Sequence, residues 1–411
     1  MDKKITKIII FAGIVIFAAV IVFAYLVSRP VNNGAEEEVG GGAGTFPTGG
    51  ESQGGRRSSR SGGNDGSDSS SKKQNQEAAA LIRLTNVPVS GAGFYGTSSV
   101  LYMERATGHI YKVKTDGTER TRLSNTTILK TFDSLWSPKG DKLAVRYFEE
   151  SSGGEAGLDV KTFLASAGHL FKATSTEEMV LRGVALPDSV TEVAASPFED
   201  KVFYLNGAGG MTEGIVSGYD NKNQKKIFEL PFGEFNVSWP AKDIIALLTK
   251  PSYTADGYLY FLNQKTGSLS KAFGGIKGLT ALVSPAGDKI VFSGIVNGSM
   301  ETMIFDLKKN SISSFGIKTF PEKCTWSRKN KDMIYCAAPA NFTDGKYPDS
   351  WYQGEQSFDD LSWSKNLITG EIKIISQKFG ADVINPKISE DDAYLIFTDK
   401  NNGHLWSLKL K

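Results

Sequence analysis

The chain has 411 residues and a nearly balanced charge, with 47 lysines and arginines against 45 aspartates and glutamates and a formal net charge of +2. Nucleic-acid-binding proteins usually concentrate basic residues on one surface, so this balance gives no support for a nucleic acid as partner. The composition divides the chain into an apolar start, a Gly- and Ser-rich stretch and a long remainder of globular composition. That remainder is long enough to bury a large core.

The first predicted element is a single transmembrane helix over residues 8–27. This stretch carries no charged side chain, and a helix of about 20 residues spans the hydrocarbon layer of a bilayer. Lys3, Lys4 and Lys7 precede it. This excess of lysine predicts a cytoplasmic tail at residues 1–7 and an extracytoplasmic location for everything after the helix. A cleaved signal peptide is the alternative, but its apolar stretch is normally shorter. We therefore predict an uncleaved signal anchor in the cell membrane.

Residues 28–79 are predicted to form a disordered linker. They are dominated by Gly and Ser and contain almost no large apolar side chain. Such a segment cannot offset its ordering entropy by burial. The linker would hold the rest of the chain near the membrane without fixing its orientation.

From residue 80 to the C-terminus, the chain repeats one pattern about every 43 residues: an apolar strand, a short polar turn and a second apolar strand. The first strand ends in Ser-Pro or a degraded version of it, and the turn carries Gly, Asn or an acidic residue. These residues suit a hairpin because Pro fixes φ and Gly or Asn tolerates positive φ. The clearest copies are residues 135–145, 194–204, 237–247, 282–292, 324–335 and 386–397. A period of 40–45 residues built from short strands is typical of β-propellers.

The number of blades follows from the first and last repeats. Most repeats have room for four strands, and residues 94–123 form a degenerate first blade. The last repeat, from about Ile384, has room for only three. The strand at residues 80–85 is predicted to supply the fourth, because pairing the two ends of the chain closes the ring and removes exposed edges. We therefore predict an all-β, seven-bladed propeller of four-stranded antiparallel blades over residues 80–411, with six or eight blades as alternatives.

The Ser-Pro-x-Gly-Asp-Lys hairpin and the apolar residues after it resemble the repeat of TolB-like and WD-repeat-like bacterial propellers. Similar repeats occur in the propeller domains of prolyl-oligopeptidase-type enzymes. The Gly-His and Trp-Asp pairs of true WD repeats are absent. The resemblance implies a platform that binds proteins or peptides. This is an inference from the fold alone.

One position in the repeat, directly before the turn, is apolar in every copy and is predicted to face the core. It is occupied by Trp136, Ala195, Trp239, Val283, Trp326 and Ile388. We interpret these tryptophans as packing residues.

Two repeats are longer than the others, and the extra residues are the candidate binding loops. They lie at residues 148–168 in blade two and 337–363 in blade six. Both are predicted to connect the second and third strands, on the face of the blade-to-blade connections. Aromatic side chains on such loops often anchor a partner. The candidate binding residues are Tyr347, Asp349, Trp351, Tyr352, Phe358 and Asp359. Alternatively, these aromatic residues form a small core of their own that holds the loop down.

No residue pattern in the sequence indicates a reaction, a cofactor or a metal. The Gly-x-Ser-x-Gly motif of α/β-hydrolases is absent, and the three histidines are scattered among different repeats. We therefore expect no cofactor and no metal site. A carboxylate pair acting on a glycan remains a minor alternative.

Cys324 and Cys336 are the two cysteines of the chain, and Asn330 lies midway between them. If Asn330 marks the centre of a hairpin, the two cysteines face each other and can form a disulfide in an exported protein. A shift of one residue would place them on opposite faces. The sequence thus leaves a disulfide and two buried thiols as alternatives.

Together these observations predict a membrane-anchored, extracytoplasmic propeller that binds a protein or an envelope component without catalysis. A hydrolase acting on a glycan or peptide at the propeller face is the alternative.

Overall fold

A computed structural model describes residues 81–151, 157–376 and 379–410. They form seven four-stranded antiparallel sheets, so the predicted seven-bladed propeller is confirmed. The predicted anchor at residues 8–27 and linker at 28–79 lie outside the described residues. In the part of the chain that is described, no helix has the length and apolar character needed to span a bilayer.

Each blade consists of four consecutive strands, except the last. Blade one contains β2 (Val89–Tyr95), β3 (Ser99–Glu104), β4 (Ile110–Lys114) and β5 (Thr121–Arg122). Blade two contains β6 (Thr131–Trp136), β7 (Lys142–Glu150), β8 (Leu158–Ser166) and β9 (Arg182–Ala185). Blade three contains β10 (Val190–Ala195), β11 (Lys201–Ala208), β12 (Met211–Gly218) and β13 (Lys225–Leu230).

The same order continues in the second half. Blade four contains β14 (Phe235–Ala241), β15 (Ile244–Thr249), β16 (Asp256–Asn263) and β17 (Leu269–Lys277). Blade five contains β18 (Thr280–Val283), β19 (Lys289–Val296), β20 (Ser299–Asp306) and β21 (Ser311–Ser314). Blade six contains β22 (Cys324–Trp326), β23 (Met333–Pro339), β24 (Asp360–Asn366) and β25 (Ile372–Ser376). Blade seven contains β26 (Val383–Ile388), β27 (Tyr394–Asp399), β28 (Leu405–Lys409) and β1 (Leu81–Arg83).

The ring closes where β1 pairs antiparallel with β28, with Ile82 opposite Ser407. The Leu84 backbone N–H also donates to the Leu405 carbonyl at 2.8 Å. This confirms the predicted pairing of the N-terminal strand with the last blade. Pairing the two ends leaves no open strand edge at the seam.

The core lies between neighbouring blades. Leu101 of blade one, for example, packs with Trp136 and Leu143 of blade two in one apolar cluster. The position before the turn is buried in five of its six copies, and Ala195 is half-buried. These residues are therefore packing residues, as predicted.

Connections alternate between the two ends of the propeller because the strands run antiparallel. We call the end that carries the first-to-second strand turns, such as residues 137–141, the turn face. The opposite end, the loop face, carries the second-to-third connections and the blade-to-blade connections. The blade-six insertion, residues 340–359, joins β23 to β24 on the loop face, as predicted, and contains the short helix α1 (Asp349–Tyr352).

The prediction for blade two was wrong in part. Its longest connection, residues 167–181, joins β8 to β9 and therefore lies on the turn face. It includes a 3-10 turn at Gly168–Lys172. Part of the extra length also extends β7 and β8, which pair along nine residues each. The spacing between repeats gives the total number of extra residues but not their position among the strands. The two long connections consequently lie on opposite faces.

Candidate functional site

The repeated turn motif is used for structure. In blade two, the Ser137 hydroxyl donates to Asp141 at 3.0 Å and accepts from the Lys142 backbone N–H at 3.1 Å. Ser284 makes the same pair of contacts in blade five, with Asp288 and Lys289. These hydrogen bonds replace those that the chain loses on reversing direction. The serine and aspartate of the motif therefore shape the hairpin.

The lysine of the motif links neighbouring blades. Lys142 of blade two forms an ion pair with Asp200 in the turn of blade three. Lys289 of blade five pairs with Asp332 of blade six at 3.2 Å. The recurring charged residues thus serve the fold, and residues that depart from the motif are the better candidates for function.

A cavity of about 690 Å³ opens at the turn face, where the innermost strands and their turns surround the central channel. Residues of six blades line it. Its apolar wall is formed by Phe94, Leu135, Trp136, Val237, Trp239 and Ile388. The volume lies within the range of about 300–1,000 Å³ that is usual for ligand sites. We call this cavity the channel mouth.

Three cationic side chains and one carboxylate line the channel mouth. Arg328, Lys329 and Glu390 are exposed, and Lys387 is half-buried. Arg328 and Glu390 directly follow the turn serine, a position where Pro138 and Pro197 line the cavity in blades two and three. The blade-six and blade-seven turns therefore depart from the repeat where they border the cavity.

The turn that carries Arg328 and Lys329 is fixed by the next blade. The carboxylate of Asp392, which is 3% exposed, accepts from the Arg328 backbone N–H at 2.9 Å and from the Ser327 hydroxyl. These bonds hold the backbone while leaving both cationic side chains free to project. In the described part of the chain, neither side chain forms an ion pair with a carboxylate.

Lys387 lies deeper, on the innermost strand of blade seven, and its Nζ donates to the Ala92 carbonyl at 2.6 Å. Burial lowers the pKa of Lys387, and the charge of Asp133 opposes that shift. Burial likewise raises the pKa of Asp133, which the charges of Arg146 and Lys387 oppose. The charge of each group thus partly offsets the effect of burial on the pKa of the other.

A second carboxylate on an innermost strand faces the same guanidinium. Glu192 of β10 lies 3.7 Å from Arg146, and the Arg146 side chain also donates to the Thr191 carbonyl. Burial raises the pKa of Glu192, and Arg146 opposes that rise. Asp133 and Glu192 are therefore the two carboxylates that best match the minor alternative of the sequence analysis, a carboxylate pair acting on a glycan.

The aromatic residues of the blade-six insertion form a core of their own. Tyr347 and Trp351 are 2% exposed and Phe358 is 7% exposed. They pack with Phe320 and Phe342, and the rings of Phe320 and Trp351 stack at 4.5 Å. This arrangement matches the alternative in which the insertion holds itself down. Because these rings bury one another and do not line the channel mouth, they offer little surface to a partner.

The remaining candidate residues of the insertion also make internal contacts. Asp349 accepts from the Tyr253 backbone N–H at 3.0 Å, and Asp359 accepts from the Gly380 backbone N–H at 2.9 Å. Tyr352 is 41% exposed, but its hydroxyl is bonded to Glu322. The six residues thus lie in one insertion, yet of its aromatic candidates only Tyr352 is exposed.

Beneath the insertion lies a fully buried ionic cluster that the sequence analysis missed. Lys323, Asp360 and Asp382 have no exposed side-chain surface, and Lys323 Nζ lies 2.5 Å from Asp360 and also contacts Asp382. The indole N–H of Trp351 donates to Asp382 at 2.9 Å. Burial raises the pKa of Asp360 to about 6, and the Lys323 ammonium opposes that rise. No sequence signal marks this cluster, because its members come from three separate segments.

Cys324 and Cys336 face each other across β22 and β23, and their sulfur atoms are bonded. The register is the one in which Asn330 lies at the centre of the hairpin. The disulfide joins the first two strands of the blade that carries the insertion. Among the described residues, no group of three or more His, Cys, Asp or Glu side chains is arranged to hold a metal ion.

No protein-family model matches the chain, and no curated protein matches it in sequence. Solved structures do match. An oligogalacturonate lyase from Vibrio parahaemolyticus has a TM-score of 0.57 at 8% identity, over 82% of this chain and 95% of that one. An oligogalacturonate lyase in complex with manganese has a TM-score of 0.54 at 12% identity, over 82% of this chain and 94% of that one. The β-propeller domain of the trilobed protease from Pyrococcus furiosus has a TM-score of 0.50 at 14% identity, over 81% and 96%.

At these identities the similarity concerns the fold alone. It agrees with the sheet topology and with the resemblance of the turn motif to bacterial propeller repeats. The chain is a seven-bladed β-propeller.

Proposed function

We propose that this protein is a membrane-anchored, extracytoplasmic scaffold that binds a protein or another envelope component, without catalysis, through the channel mouth on the turn face. The observation that carries the proposal is the cavity of about 690 Å³ with an apolar wall and exposed cationic side chains that the fold does not use. A concave apolar surface with a few convergent polar groups is the usual form of a binding site. The location differs from the loop face expected from the insertions, because Tyr347, Trp351 and Phe358 of the blade-six insertion are buried.

Site-specific photo-crosslinking in membranes of cells that make the protein tests this proposal. A photoreactive phenylalanine at Glu390, on the rim, should give a discrete adduct, and the same residue at Ile312, which is 54% exposed on the outer strand of blade five, should not. Ser238 is exposed and lines the cavity. Ser238→Trp should therefore remove the adduct by filling the mouth, and Ser238→Ala should preserve it. Equal adducts at Glu390 and Ile312, or an adduct that survives Ser238→Trp, would contradict the proposal.

A hydrolase remains the second candidate, because Asp133 and Glu192 provide two carboxylates on innermost strands with raised pKa values. Glycosidases use such a pair as acid and base or nucleophile. The ion pair between Glu192 and Arg146 also suits a structural role. If the protein is a hydrolase, Asp133→Asn and Glu192→Gln should each abolish turnover of a glycan or peptide substrate while the rim adduct persists. Under the scaffold proposal, the unmodified protein and both variants show no turnover.

A further inference from the structure

Arg328 and Lys329, two of the three cationic side chains at the channel mouth, are not required by the fold, whereas Lys387 donates to the Ala92 carbonyl. Pro follows the turn serine in blades two, three and five, and Arg328 occupies that position in blade six. The conformation of this turn is instead maintained by Asp392 through the backbone. Arg328 and Lys329 are exposed, and neither has a carboxylate partner among the described residues. Such side chains are available for a ligand.

The charges at the mouth are unequally distributed. Arg328, Lys329 and Lys387 line it against the single carboxylate of Glu390, although the whole chain carries a net charge of only +2. The cations all belong to blades six and seven. The aromatic residues that line it, Phe94, Trp136 and Trp239, come from blades one, two and four. The cationic and the aromatic residues of the mouth therefore come from different blades.

We propose that the partner binds through an extended acidic peptide segment, whose Asp or Glu carboxylates contact Arg328 and Lys329 while an apolar or aromatic residue enters the cavity. This inference rests on the proposed function of the channel mouth and specifies the chemistry of its ligand. The cavity volume of about 690 Å³ accommodates a short segment rather than a folded domain. Arginine binds carboxylates through two parallel N–H groups, which adds geometric specificity to the charge.

Binding of defined peptides to the full chain in detergent tests the inference. The probe is a labelled, terminally blocked peptide that alternates Glu, Asp and Phe, and the controls replace Glu and Asp by Gln and Asn or by Lys and Arg. We expect the acidic probe to bind and to weaken with rising ionic strength, because salt screens exposed charges. The neutral and basic probes should bind about tenfold more weakly or not at all, a factor that corresponds to about 1.4 kcal/mol.

Charge-reversal variants test whether Arg328 and Lys329 contact the acidic probe. Arg328→Glu combined with Lys329→Glu should weaken binding of the acidic probe by about tenfold or more. Lys331→Glu is the matched control, since Lys331 is exposed in the same turn but does not line the cavity, and it should leave binding within about twofold. Equal effects of the double variant and Lys331→Glu would overturn the inference. Tighter binding of an oligonucleotide of the same charge would also overturn it, because the mouth would then select polyanions rather than acidic peptide.

The same variants separate this inference from the proposed function. If Ser238→Trp removes the rim adduct in membranes while Arg328→Glu with Lys329→Glu preserves it, the channel mouth remains the binding site and the acidic ligand is refuted. If Ser238→Trp leaves the adduct unchanged, the site itself is refuted.

Discussion

At the residue scale, the buried cluster under the blade-six insertion shows how one side chain stabilises several segments. Lys323 precedes β22, Asp360 begins β24 and Asp382 precedes β26. The Val383 backbone N–H also donates to Asp360 at 2.8 Å, so the cluster joins blades six and seven. Without the Lys323 ammonium, the two carboxylates would remain buried and uncompensated. This costs far more stability than the loss of an exposed ion pair.

Lys323→Met should therefore lower the free energy of unfolding by roughly 3–5 kcal/mol. Lys373→Met is the control, because its ion pair with Glu371 has side chains that are 65% and 53% exposed. Such a pair contributes about 1 kcal/mol or less. Urea denaturation of both variants checks the difference, and equal losses would show that the cluster does not hold the blades together.

The raised pKa of Asp360, about 6, predicts a pH dependence of stability. In the unfolded chain an aspartate has a pKa of about 3.9, so folding takes up a proton between about pH 4 and pH 6. The contribution of Asp360 to stability is thus greatest below about pH 4, and it is lost as the pH rises to about 6, by up to about 3 kcal/mol. Unfolding should accordingly be harder at pH 5 than at pH 7, and less so in Asp360→Asn. An identical pH dependence in both proteins would exclude Asp360 as its source.

At the element scale, the hairpins and their closure could be predicted because they depend on local patterns. Alternating apolar strands and Ser-Pro turns are local signals, and the short last repeat shows that a strand must come from elsewhere. The position of the blade-two insertion could not be predicted, because repeat spacing does not assign extra residues to a connection. The Lys323 cluster and the cations at the channel mouth depend on long-range contacts. Among these residues, only Arg328 is marked in the sequence, because it follows the turn serine at the position where other blades carry Pro.

For the blade-six insertion, a packing role and a recognition role predict different effects of the same substitution. Trp351 is 2% exposed and donates to Asp382. Trp351→Ala should lower the free energy of unfolding by about 3–5 kcal/mol, as expected for a large buried aromatic residue. Ile368→Ala, at a side chain that is 75% exposed, should change it by less than about 0.5 kcal/mol. Thermal denaturation measures both. If Trp351→Ala kept full stability but lost the membrane adduct at Glu390, the insertion would be a recognition surface instead.

At the scale of the whole molecule, the channel mouth exists because the ring is closed. Blades one and seven both line the cavity, through Phe94 and Ile388, and they lie on either side of the seam. Across that seam the three residues of β1 pair with β28, and the backbone N–H groups of Leu84 and Thr85 donate to the Leu405 carbonyl. Loss of this pairing would expose the edge of β28 and separate the two sides of the site.

The most direct test of the account is a disulfide across the seam. Ile82 and Ser407 lie directly opposite each other, and Cβ atoms of such pairs are about 4.5–5.5 Å apart. In the double variant Ile82→Cys with Ser407→Cys, we expect an intramolecular disulfide between N- and C-terminal peptides under oxidising conditions, found by mass spectrometry after proteolysis. Ile82→Cys with Lys409→Cys, displaced by two residues, should form it far less. Failure of the first pair to bridge within one chain, or equal bridging of both pairs, would contradict the closed seven-bladed ring on which the proposed site depends.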